Sequence, residues 1–183
     1  MSQRKYTRDK VGPRIEGFLN KILPLAGLDV KYEIADDETP HPDFENPDIR
    51  VKFSGSGVDD LLENKAELLL ALEQLTLEAL RTSADDHSRI CFDANDHRLL
   101  RIEELRHGAL TAAERVRDSG QPFRFNPMNS RERRILHLAL RDFKEVRSES
   151  EGGEPRRNVV IYPAGMPSQP AAPRPPLDRR GRR

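Results

Sequence analysis

The stretch Pro127-Met128-Asn129-Ser130-Arg131-Glu132-Arg133-Arg134-Ile135-Leu136-His137-Leu138-Ala139-Leu140-Arg141-Asp142-Phe143 decides how the chain reads. Arg133 and His137 stand four residues apart, the spacing that puts two side chains on one face of a helix. On a wheel turning about 100° per residue with Arg133 as origin, His137 falls at about 40°, Arg141 at about 80° and Arg134 at about 100°. Ile135, Leu136, Ala139, Leu140 and Phe143 gather between about 200° and 340°. The spacing therefore predicts a helix through Phe143, with a core face on one side. The other side carries Arg133, Arg134 and Arg141 around one imidazole, a face suited to phosphates and an unstacked base. Arg131, at about 160°, is peripheral.

The helix needs a start, and Asn129 supplies an N-cap with Glu132 three residues on, the pattern of a capping box. Ahead of it Phe123-Arg124-Phe125 reads as a short extended piece. After it, residues 146–150 and 158–162 read as strands about the Gly152-Gly153 turn. This gives a small strand–helix–strand–strand unit over residues 122–163.

Upstream lies a second unit, over residues 13–95. Pro13 suits the first turn of a helix, and Ile15, Phe18, Leu19, Ile22 and Leu23 continue it at helical spacing to Gly27. Residues 28–34 and 49–53 alternate apolar with charged side chains and predict half-buried strands, separated by an acidic, Pro-rich loop. A Leu-rich segment from Val58 to Arg81 is long enough for two consecutive helices, and residues 88–93 make a third strand. Leu61, Leu68 and Leu75 have zipper spacing, but Leu62, Leu69, Leu70 and Leu72 widen the stripe and favour a globular core. Residues 96–121 read as a charged linking helix stopped by Gly120 and Pro122. Residues 1–12 read as a basic, disordered N-terminus, and residues 164–183 as a disordered Pro- and Arg-rich tail. The expected class is α+β, in two units of order αββααβ and βαββ.

Composition narrows the function. Of 183 residues, 34% are charged and 36% apolar, with no Trp, so each core must be modest and aliphatic. The net charge of zero hides segregation along the chain. Residues 29–78 carry four basic and fourteen acidic side chains, whereas residues 79–183 carry twenty-one basic and fifteen acidic. A polyanion is repelled by the first and attracted by the second. The single cysteine, Cys91, excludes an internal disulfide and suits a reducing compartment. No apolar run approaches a membrane span and the first residues do not resemble a signal peptide, so a cytoplasmic protein is expected. His41, His87, His97 and His107 lack metal-ligand spacing, and no nucleophile motif or Gly-rich phosphate loop occurs. No catalysis, metal or cofactor is expected.

The block from Pro127 to Tyr162 closely resembles an R-three-H domain. The residues that carry the resemblance are Arg133 and His137, then Ser148-Glu149-Ser150-Glu151-Gly152, then Arg157-Asn158-Val159-Val160-Ile161-Tyr162-Pro163. In organisation, residues 13–163 resemble the Jag family of bacterial RNA-binding proteins, in which a type II KH domain precedes the R-three-H domain. The resemblance implies single-stranded RNA as ligand, with single-stranded DNA as the alternative, and Arg133, His137, Arg134 and Arg141 as nucleic-acid-binding residues. It also implies a post-transcriptional regulator, with a small KH-domain protein as a second partner. The amino-terminal extra domain of many Jag proteins is expected to be missing.

One departure from that pattern is local. A KH domain clamps nucleotides with a Gly-x-x-Gly loop between its central helices. Alignment through Leu61-Leu62 and Leu69-x-Ala71-Leu72 puts Glu63-Asn64-Lys65-Ala66 there instead. Both glycines are gone and a carboxylate replaces the first, so the KH-like unit is expected not to grip RNA in the usual way. An alternative function follows from it: an adaptor whose acidic KH-like unit docks a protein partner without binding RNA.

Overall fold

The computed structural model describes residues 4–36 and 41–167, and it divides into two compact units, Met1–Glu103 and Glu104–Arg183. In the first unit, helix α1 (Arg8–Leu25) is followed by strands β1 (Lys31–Asp36) and β2 (Ile49–Ser54), then helix α2 (Val58–Leu80). A 3₁₀ turn (Ala84–Arg89) leads into strand β3 (Ile90–Ala94). The strands form one sheet in the order β1-β2-β3, antiparallel between β1 and β2 and parallel between β2 and β3. The expected αββααβ order holds, because α2 is two helical pieces broken at Glu63-Asn64-Lys65-Ala66.

The alternation read from the sequence sets the faces. Ile49, Val51 and Phe53 of β2 point into the core against Ile15 and Leu19 of α1 and Leu61, Leu69 and Leu77 of α2, all buried. β3 is buried at every residue, as a strand with a parallel neighbour commonly is. Cys91 lies on it, and burial pushes its thiol up to about 12, which makes it an inert core residue.

The N-terminal residues differ from the expectation of a disordered segment. The backbone N–H groups of Lys5 and Tyr6 both donate to Asp48 Oδ2, at 3.0 and 3.1 Å, and the Tyr6 hydroxyl donates to Asp86. Asp48 and Asp86 are buried, and these partners satisfy their charge. The helix accordingly starts at Arg8, with Pro13 inside it rather than at its first turn. At the other end, Ala164 N–H donates to Glu145 and the Arg147 guanidinium to Met166 O, so residues 164–167 are fastened to the second unit. The rest of the expected tail, residues 168–183, lies outside the described residues.

The break in α2 holds three successive non-glycine residues in the left-handed region: Asn64 (φ 49°), Lys65 (φ 65°) and Ala66 (φ 60°). Each such residue costs roughly 1–2 kcal/mol, Asn least of the three. Ala66 is held there by a fully buried methyl group, whereas Lys65 is exposed and gains nothing from its side chain. Lys65→Gly is therefore expected to stabilise the chain by roughly 0.5–1 kcal/mol after glycine's entropy is counted. A higher urea midpoint with an unchanged slope is the expected reading, and a lower midpoint contradicts it.

In the second unit, strands β4 (Phe123–Arg124), β5 (Val146–Glu151) and β6 (Asn158–Pro163) form an antiparallel sheet in the order β4-β6-β5. Helix α3 (His97–Ser119) begins in the first unit and continues into the second, where Ala109, Ala112, Ala113 and Val116 are buried. Helix α4 (Ser130–Ala139) lies against β5 and β6, with its Ile135 and Leu136 buried, as are Val159 and Ile161 of β6. The α+β class and the βαββ order hold. α4, however, ends at Ala139, with Leu140 as its C-cap, not at Phe143. Arg141 consequently leaves the helical face on which the wheel placed it.

Candidate nucleic-acid interface

The capping box expected at Asn129 is present in full. Asn129 Oδ1 accepts from Glu132 N–H at 2.9 Å, and Glu132 Oε2 accepts from Asn129 N–H at 3.0 Å. These bonds satisfy two N-terminal donors and fix where α4 begins, hence where Arg133 and His137 point.

The two motif residues meet different surroundings. Arg133 is only 7% exposed, and its guanidinium donates to Met128 O and to Glu154 Oε1, both at 2.8 Å. His137 is half-buried, with Nδ1 2.7 Å from Ser148 Oγ and Nε2 2.9 Å from Ser150 Oγ. A neutral imidazole has one donor and one acceptor nitrogen, and a hydroxyl can meet either. Both ring positions are thus satisfied, and the ring plane is fixed by two residues of one strand.

Register explains why those serines are available. Ser148 pairs with Ile161 and Ser150 with Val159, so both hydroxyls share the α4 side of the sheet with these core residues. Arg157 precedes β6 by one residue and has the same parity as Val159 and Ile161, which assigns it to that side as well. Its Nε is buried without a hydrogen-bond partner. Its charge reaches His137: the imidazole is held below the usual histidine range first by burial, then by the cations Arg133 and Arg157.

The opposite side of the sheet is neutralised internally. Arg124 pairs with Glu151, Arg147 with Glu149, and Arg147 stacks over the fully buried Tyr162 ring at 4.6 Å. Cationic capacity toward an external anion therefore lies on the α4 side. Of the expected site residues, Arg133 and His137 come together there. Arg134 is exposed on α4 and makes no ion pair among the described residues, while Arg141 sits in the turn after α4, 3.5 Å from Asp142. Ser148, Ser150, Glu154 and Arg157 were not among the expected site residues. The signal for them was the alternation of Ser148-x-Ser150 and of Arg157 with Val159.

Among the described residues, no group of three or more His, Cys, Asp or Glu is placed to hold a metal ion. No described helix is long and apolar enough to cross a membrane.

A three-stranded sheet, a capped Arg-x-x-x-His helix and the serine-held imidazole define the second unit as an R-three-H domain, and residues 103–163 match the model of that family. Over 62% to 84% of its length the chain is similar to bacterial proteins named RNA-binding protein KhpB. It is 28% identical over 144 residues to that of Clostridium symbiosum, covering 79% of this chain and 62% of the relative. It is 30% identical over 115 residues to that of Bacillus subtilis (strain 168), covering 62% and 55%. With that of Streptococcus pneumoniae (serotype 2, strain D39) it shares 28% over 153 residues, covering 84% and 44%. The chain thus spans 44% to 62% of the length of these relatives.

Proposed function

We propose that this chain is a cytoplasmic single-stranded RNA-binding protein and post-transcriptional regulator that acts through its R-three-H domain. The observation that carries the reading is Arg157, whose buried Nε lacks a partner on the same side of the sheet as His137. A guanidinium that meets no carboxylate among the described residues, on the side of the sheet that carries the half-buried imidazole, suits an incoming phosphate. Arg134 and Arg141 add exposed charge toward a backbone. The KH-like unit supplies a scaffold: Asp59, Asp60 and Glu63 crowd its broken helix, and the loop has no glycine to let a nucleotide backbone approach. The relatives' name, RNA-binding protein, agrees with this reading.

Anisotropy of a fluorescein-labelled single-stranded RNA, titrated with the full chain, tests the proposal. Affinity should fall linearly with log salt, by roughly 0.7 per phosphate contacted. Acidity should act in the same assay. A bound phosphate favours the imidazolium, whereas the free site depresses it. RNA binding therefore takes up a proton, and affinity should rise as pH falls, then level off once the free imidazole is protonated too. Stability of the free protein runs the other way: the neutral imidazole's contribution is present above about 6.5 and lost as pH falls through the lower folded value. An affinity indifferent to salt would contradict the proposal.

A further inference from the structure

Arg133 gives the motif its name, yet both arms of its guanidinium are occupied. One donates to Met128 O and the other to Glu154 Oε1, each at 2.8 Å. The Arg133 side chain is 8% exposed, whereas that of Glu154 is 63% exposed. Glu154 thus lies over Arg133 from the solvent side, where a phosphate would otherwise approach. The turn that delivers it is specified: Gly152 has φ +82°, and a Cβ there would lie 3.2 Å from Arg156 O. Arg157, three residues beyond Glu154, meets no carboxylate among the described residues and has a buried Nε without a partner.

We infer that the site accepts one phosphate, at its Arg157–His137 end, and that Glu154 closes the Arg133 end as an intramolecular anion. This rests on the RNA-binding reading and names the residue that decides which arginine the nucleic acid meets. At Arg133 a phosphate only replaces a carboxylate already bonded, so the exchange yields little. At Arg157 no carboxylate has to be displaced, so a phosphate adds a counter-charge to a guanidinium that has none among the described residues. Arg133 then acts as a positioning residue, tying α4 to the turn before β6, while Arg157 meets the phosphate and His137, its two nitrogens held by Ser148 and Ser150, lies beside it.

Salt-dependent anisotropy with labelled single-stranded RNA tests this on the full chain, because the slope counts phosphates. Arg157→Ala should reduce the slope by about 0.7, one single-strand phosphate contact, and weaken binding about tenfold. Arg133→Lys should leave the slope unchanged. Glu154→Gln should tighten binding roughly threefold to tenfold and add about 0.7 to the slope. The double variant Arg133→Lys with Glu154→Gln should lose that gain. Weaker binding by Glu154→Gln, or an unchanged slope in Arg157→Ala, would overturn the inference. Absence of RNA binding by the unmodified chain would instead overturn the reading beneath it. Thermal melts of each variant separate these outcomes from loss of fold.

Discussion

Replacing His137 and Arg157 together with alanine is expected to weaken single-stranded RNA binding by about a hundredfold, with the fold intact. A hydrogen bond to a charged group contributes roughly 1.5–3 kcal/mol, and each 1.4 kcal/mol is about tenfold in affinity. The two residues share one site, so their effects should add incompletely, which keeps the estimate near the lower sum. Neither truncation removes a core residue. Ser148 and Ser150 lose the imidazole but are only partly buried and can turn to water. Arg133→Ala is a poorer test, because it strips Met128 O and Glu154 of their shared partner and untethers the turn before β6. Anisotropy alongside a thermal melt checks the prediction; near-normal affinity in a folded double variant would refute it.

The largest effect on stability is expected at Glu73, in the first unit. The residue is 5% exposed; its carboxylate accepts from Phe92 N–H at 2.9 Å and faces Arg98 Nη1 at 3.3 Å. The Arg98 side chain is largely covered, 10% exposed, and also bonds Glu45 at 2.7 Å. Glu73→Ala leaves a β3 amide without its acceptor and a buried guanidinium short of one counter-charge. Breaking a buried pair from one side costs about 3–5 kcal/mol. Urea denaturation should show a midpoint lowered accordingly, and a loss under about 1 kcal/mol would mean that water replaces the carboxylate. Phe92 and Arg98 belong to β3 and α3, so Glu73 pins the broken α2 to both.

The two residues also mark what sequence can reveal. Glu73 was not singled out from the sequence, although it shares the helical stripe of Leu69, Leu72, Thr76, Leu77 and Leu80, where a carboxylate must have partners. The α-β-β-α-β succession was legible because periods of two and 3.6 alternate between Gly and Pro breaks. The split of α2 at Glu63-Asn64-Lys65-Ala66 has no Gly or Pro to mark it and followed from segment length and the KH resemblance. The capping box was legible because its partners stand three residues apart. Arg133's burial was not, since its counter-charge comes from Glu154, twenty-one residues on in a turn. Neither was Arg157, because alternation names a strand's face but only register brings that face to His137. The wheel overran at Arg141 for a similar reason: Leu140 caps α4 although no Gly or Pro marks the stop. The N-terminal residues looked unstructured because Asp48 and Asp86 come together only on folding.

The central claim is that nucleic acid is recognised in the R-three-H domain, at His137 and Arg157, and not at the KH-like loop. Side-chain NMR of the full chain during titration with a single-stranded RNA tests it most directly. The account predicts that the His137 ring and Arg157 Nε–H resonances shift together and saturate with the RNA, while Glu63, Asn64, Lys65 and Ala66 stay unmoved. Shifts confined to those four loop residues, with His137 and Arg157 unchanged, would contradict it.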